Sequence, residues 1–128
     1  MPIDYAELLA NQVVSDQRYV LDDAAVSAYV EAVGDSSASP ATAPPMAIAA
    51  LSLRGVVQDL AIPGGTLHVG QELQFKGAVS PPETLDCRAT LLQNSVRGDW
   101  RFLVVQLEVE DSSGRQVMEG KSTLMVPA

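Results

Sequence analysis

Pro44-Pro45-Met46-Ala47-Ile48-Ala49-Ala50-Leu51-Ser52-Leu53-Arg54-Gly55-Val56-Val57-Gln58-Asp59-Leu60 decides the fold. Proline is tolerated in the first turn of a helix, where amide hydrogens have no partner in any case, so a helix is expected to begin at Pro44 or Pro45. Pro63-Gly64-Gly65 stops it, which gives a helix of about 44–60. Met46, Ile48, Ala49, Ala50, Leu51, Leu53, Val56, Val57 and Leu60 cover most of its circumference, and Arg54, Gln58 and Asp59 enter only near its end. A helix that is apolar nearly all round is a buried one.

Downstream the period changes from helical to two. Leu73, Phe75 and Val79 alternate with polar positions until Pro81-Pro82, and Leu85, Cys87, Ala89 and Leu91 alternate next. A turn region is expected from Asn94 to Asp99. Leu103, Val105, Leu107 and Val109 alternate again, Asp111-Ser112-Ser113-Gly114 makes a hairpin turn, and a last strand runs from Arg115 to about Val126. Upstream, the pattern suggests a short helix over Tyr5 to Asn11 and a brief strand from Gln17 to Leu21. Asp22 caps a further helix, whose Val26, Tyr29, Val30 and Val33 form one stripe ahead of Gly34 at its C-terminal cap.

The architecture expected is α+β: an antiparallel sheet wrapped around one buried helix, in a single domain spanning 1–128. The sheet edges and the uncovered side of such a unit call for a partner subunit.

Composition narrows the function classes. Eight Lys plus Arg stand against sixteen Asp plus Glu, for a net charge of −8, which disfavours nucleic acid and anionic membrane surfaces as partners. One Cys and one His fall short of a structural zinc set, and no metal or other cofactor is expected. The longest uninterrupted apolar run, Met46 to Leu51, is far below the ~20 residues that span a bilayer. With no basic, apolar leader at Met1 to Asn11, a cytoplasmic location is expected.

Few residues carry chemistry. His68 stands at the start of a strand and reads as a backbone-bonded strand-end imidazole more readily than as a general acid or base. Cys87 lies on the apolar face of its strand, as an inert buried thiol does. Gly120-Lys121-Ser122 has a P-loop's ending without its glycine spacing, and it sits in a strand. Asp35 follows a helix-ending glycine and opens a loop of small residues, where it is either a carboxylate held at a functional corner or a solvated turn residue. Arg97, Trp100 and Arg101 gather at a hairpin; they suit an anionic or planar ligand, and equally a turn beside a half-buried aromatic.

Tyr29-Val30-Glu31-Ala32-Val33-Gly34-Asp35 resembles the segment that enters the active site of the MaoC-like hydratases and dehydratases, which have the hot-dog fold. Ala43-Pro44-Pro45 before the apolar helix resembles the lead-in to that fold's central helix. Pro63-Gly64-Gly65 followed by Leu67-His68-Val69-Gly70-Gln71-Glu72-Leu73-Gln74-Phe75 is similar to the family's passage into its first long strand. Pro81 to Leu85 and Gly114 to Thr123 fit as a strand-opening turn and a closing hairpin, so the likeness covers most of the chain from Gln17 onward.

The resemblance implies activity on acyl thioesters, usually acyl-CoA, with an Asp and a His activating water for addition to an enoyl double bond, or the reverse. Asp35 matches the catalytic aspartate of that pattern. The His normally stands five residues later, and here that position is Pro40, with Ser37-Ala38 in place of the family's Asn-Pro. The Ala-Pro-Pro lead-in is closer to the non-catalytic N-terminal half of two-domain members. The resemblance therefore implies a unit without a complete dyad, working as a homo-oligomer or with a catalytic hot-dog subunit. The alternatives are an acyl-CoA thioesterase and a non-catalytic acyl-CoA-binding subunit. Met46 to Gln58 holds no Asp or Glu, which counts against thioesterases that place a carboxylate on this helix.

Overall fold

A computed structural model describes residues 4–33 and 43–128. A 3-10 turn at Tyr5–Glu7 leads into β1 (Val13–Leu21), α1 (Asp23–Val33), α2 (Pro45–Asp59), β2 (Leu67–Phe75), β3 (Glu83–Arg97), β4 (Trp100–Glu110) and β5 (Gln116–Pro127). The strands form one five-stranded sheet in the order β1-β3-β4-β5-β2, with every neighbouring pair antiparallel. α2 packs chiefly against β1, β3 and β4. The chain adopts the expected α+β arrangement of a sheet with a helix at about 44–60 packed on it, but the helix is buried on one side only: Met46 and Val57 on its other side are 47% and 48% exposed.

The period-two alternation explains which face holds the helix. Leu103, Val105, Leu107 and Val109 of β4 are all fully buried, as are Leu85 and Leu91 of β3 and Val126 of β5. From α2, Ala47, Ile48, Ala49, Ser52, Gly55 and Val56 are buried toward this layer. Each fully buried branched side chain contributes about 1.5–3 kcal/mol relative to exposure, so this layer dominates the stability of the fold. Among the described residues no helix is long and apolar enough to cross a membrane.

Several boundaries differ from expectation, each for a local reason. Asp22 does cap α1, its Oδ1 accepting from Ala25 N at 2.8 Å. β1 begins at Val13 rather than Gln17 because its inward positions Ser15, Gln17 and Tyr19 carry polar groups, which hide the alternation. The helix expected over Tyr5 to Asn11 is only the single 3-10 turn. Beyond it Asn11 N donates to Leu91 O and Gln12 O accepts from Leu91 N, so sheet-like bonding takes over. The turn expected over Asn94 to Asp99 shrinks to Gly98-Asp99, with Gly98 at φ +61°, and Ser95 and Arg97 pair with Phe102 and Trp100. Val79 lies beyond the end of β2, where its carbonyl accepts from Ala43 N at 2.7 Å and anchors the chain just ahead of α2.

Candidate active site

The segment that carries Asp35 lies between two described anchors, the end of α1 at Val33 and Ala43. Asp35 itself, with Gly34 and Pro40, lies outside the described residues. Ala43 is buried to 2% exposure, and Pro44 then opens α2 without any side-chain cap.

The hairpin of β3 and β4 lies by the other end of α2. Tyr5 Oη donates to Leu60 O at 2.6 Å, and Asn94 Nδ2 donates to Tyr5 O at 2.7 Å and Leu8 O at 3.0 Å. Arg101 Nη1 in turn donates to Asn94 Oδ1 at 2.8 Å. Arg101 therefore points to the inner face and holds the carboxamide that ties the N-terminal segment to the helix end.

Arg97 and Trp100 are a directly paired couple one position away, so they share the opposite, outer face. The Arg97 guanidinium sits 5.5 Å from the centre of the Phe102 ring. The three residues grouped by sequence are thus divided by the sheet, two facing outward and one inward.

His68 is exposed on β2, beside Val69, Gly70 and Gln71 in a shallow surface depression. No hydrogen bond of its side chain occurs among the described residues, so the backbone contact expected for it is not made there. Cys87 is 3% exposed, and burial pushes its thiol up to about 12, which makes it inert as the apolar face implies.

One polar seam was not legible in the sequence. Asp59, in the last turn of α2, accepts from Ser15 Oγ at 2.8 Å and from Gln17 Nε2 at 3.0 Å. The Arg54 guanidinium lies 5.4 Å from the Tyr19 ring centre, and the Tyr19 hydroxyl is buried without a partner among the described residues. A carboxylate at a helix C-terminus opposes the helix dipole, and these two donors offset that cost. Gly55, the one glycine within the described helices, lets β1 come this close. Two grooves open elsewhere: one bounded by Asp16, Arg18, Asp86, Arg88, Glu108 and Glu110, and one of 510 Å³ reaching Leu73, Leu92, Gln106 and Lys121. The first is lined by ion pairs, Arg18–Asp86 at 2.8 Å and Arg88–Asp16 at 3.7 Å. Neither groove holds a nucleophile paired with a base. Among the described residues no cluster of His, Cys, Asp and Glu has the makings of a metal site.

Comparison with solved structures settles the fold. The R-hydratase PhaJ1 from Pseudomonas aeruginosa superposes with a TM-score of 0.81 at 21% identity, covering 98% of this chain and 86% of its own. This is the hot-dog fold. A MaoC-like dehydratase from Rhodospirillum rubrum matches at TM-score 0.75 and 20% identity, over 95% of this chain and 94% of that one. The HadBC 3R-hydroxyacyl-ACP dehydratase complex from Mycobacterium tuberculosis matches at 0.64 and 16%, over 90% and 98%. No protein-family model matches the chain, and no curated protein matches it in sequence. In this hot-dog unit α2 is the central helix, and Asp35 belongs to the segment that leads toward it.

Proposed function

We propose that this chain is a MaoC-like hot-dog subunit that binds acyl-CoA thioesters, of the enoyl-CoA hydratase or 3-hydroxyacyl dehydratase class, and lacks half of the water-activating pair. The observation that carries the reading is the Gly34-Asp35 motif ahead of a central helix in this fold, with Pro40 where the partner histidine belongs. Asp35 is then the one water-activating group. Without a paired acid and base, hydration loses a proton-transfer contribution of roughly 10²–10⁴-fold. His68 sits on a strand edge, on a different element, and does not take the missing role.

In this reading Arg97, Trp100 and Arg101 remain the candidate contacts for the anionic and planar parts of the ligand. Arg97 and Trp100 offer them from the outer face, and Arg101 also holds Asn94. The subunit works in an assembly, as a homo-oligomer or beside a hot-dog subunit that carries the histidine. The dehydratase complex that shares the fold supports the second arrangement.

The test is mass spectrometry of short and medium enoyl-CoA thioesters after incubation with the purified chain. The expected result is bound thioester recovered unchanged. Gain of one water with the thioester intact would make it a hydratase in its own right, and free CoA would make it a thioesterase.

A further inference from the structure

We infer that Arg115 is a positioning residue for the entry to the central helix: its guanidinium bridges the β4–β5 turn to segment 76–82, and that segment in turn holds Ala43, just ahead of α2. Segment 76–82 joins β2 to β3 outside any strand. Lys76 N donates to Val117 O at 2.8 Å, which continues the pairing of β2 with β5. Further along, Val79 O accepts from Ala43 N at 2.7 Å. Val79 and Ala43 are each 2% exposed, so this is a backbone pair that water does not readily replace. Between these two ties Ala78 O accepts from Arg115 Nη2 at 2.8 Å.

The turn aims the guanidinium. Asp111 is 7% exposed, and its Oδ1 accepts from Ser113 N at 3.0 Å, Ser113 Oγ at 2.6 Å and Arg115 N at 3.0 Å. Its Oδ2 accepts from Arg115 Nε at 3.0 Å. One arm of the planar fork is thereby fixed to the turn, and the other arm reaches Ala78. Gly77 leaves the space for this, since a Cβ there would stand 3.2 Å from Arg115 Cζ. Ser112 N also donates to Glu83 Oε1 at 3.1 Å, so the same turn is tied to the start of β3. A lysine at 115 would keep the charge but lack the rigid fork that spans both acceptors.

The bearing of this bridge on chemistry rests on the acyl-thioester reading, in which Asp35 is the water-activating group. Ala43 is the anchor on the helix side of Asp35 in the chain. Loosening that anchor degrades the placement of a reacting group more than the binding of the ligand, and a misplacement of about 1 Å costs roughly 10²-fold in rate.

Exchange of single amides, followed by nuclear magnetic resonance, tests the bridge. In Arg115→Met the Ala43 amide should exchange about tenfold faster than in the native chain, well beyond any change at Leu103, Val105 and Leu107 of β4. Arg115→Lys should match Arg115→Met. Lys76→Met, which removes only the ion pair to Glu119 at 3.0 Å on the same segment, should match the native chain. An unchanged Ala43 rate in Arg115→Met, a rise no larger than that of the β4 amides, an equal rise in Lys76→Met, or native protection with lysine at 115 overturns the inference. In the Pro40→His background, Arg115→Lys should lower kcat for enoyl-CoA hydration about tenfold or more at unchanged KM. An unchanged kcat, or a loss carried by KM, overturns the positioning role. If Pro40→His gains no hydration, the acyl-thioester reading fails, and the Ala43 exchange rates alone decide on Arg115.

Discussion

Gly55 of α2 lies so close to Ser15 of β1 that a Cβ on the glycine would stand 2.6 Å from Ser15 Oγ. The same hydroxyl donates to Asp59 at 2.8 Å, so helix and strand are locked by contact and by hydrogen bond at one point. Alanine is the better helix former by ~1 kcal/mol, yet overpacking a tight contact costs about 1–3 kcal/mol. Gly55→Ala should therefore lower the melting temperature by several degrees, as read by calorimetry. Ser15→Gly removes the crowding hydroxyl together with its bond to Asp59, so in that background the cost of Gly55→Ala should shrink, and an equal cost in both backgrounds would refute the steric account.

Asn94 and Arg97 lie three residues apart and should behave in opposite ways. Asn94→Ala removes two donors to the Tyr5 and Leu8 carbonyls and leaves Arg101 without its acceptor, so a loss of about 1–3 kcal/mol is expected. Hydrogen exchange should show the N-terminal segment opening first. Arg97→Ala, on the outer face, should stay within about 0.5 kcal/mol of the native chain. If Arg97 meets the ligand, that variant loses acyl-CoA affinity in titration calorimetry at unchanged stability.

The hairpin turn at Asp111 should be the acid-sensitive part of the fold. The Ser113 hydroxyl, followed by backbone and side-chain donors of Arg115 and Ser113, holds the Asp111 carboxyl below its usual range. Ser112 does the same for Glu83. Both folded-state values are depressed, so their stabilisation is complete above the ordinary carboxylate range and is lost as pH falls below it. Stability against urea should fall on going from pH 5 toward pH 2, and Asp111→Asn should flatten that fall. An unchanged slope in the variant would assign the acid sensitivity elsewhere.

Cys87 should resist thiol reagents in the native chain. Its thiol is raised to about 12 by burial, so the thiolate is scarce at neutral pH and the sulfur is shielded. Labelling with a maleimide should proceed only as fast as the protein opens, and should become rapid in denaturant. Fast labelling without denaturant would contradict the buried placement.

Pro40→His and Asp35→Asn test the functional reading from both directions. Restoring the histidine should raise enoyl-CoA hydration above that of the native chain, by up to ~10²–10⁴-fold if the geometry is right. Asp35→Asn in that background should abolish the gain, with the far-ultraviolet circular dichroism unchanged. Gain retained without Asp35 would remove that residue from the chemistry.

The central helix was written in the sequence because its apolar residues cover most of the cylinder and proline and glycine bound it, all of which are local signals; which side is buried was set by the sheet. β4 was equally plain, since one face is wholly buried and the alternation is unbroken from Leu103 to Val109. Gly34 and Asp35 lie outside the described residues. What tertiary structure alone decided were features set by neighbours distant along the chain. β1 hid its length because its inward side is polar, and only the approach of Asp59, 44 residues from Ser15, accounts for that. Arg97, Trp100 and Arg101 are neighbours in sequence, but strand pleating sends them to opposite faces, and Asn94 then engages Arg101. Strand order has the same origin: pairing between residues far apart in sequence decides that β2 closes the sheet at one edge, with Leu67, Val69 and Phe75 exposed and Leu73 packed against the core.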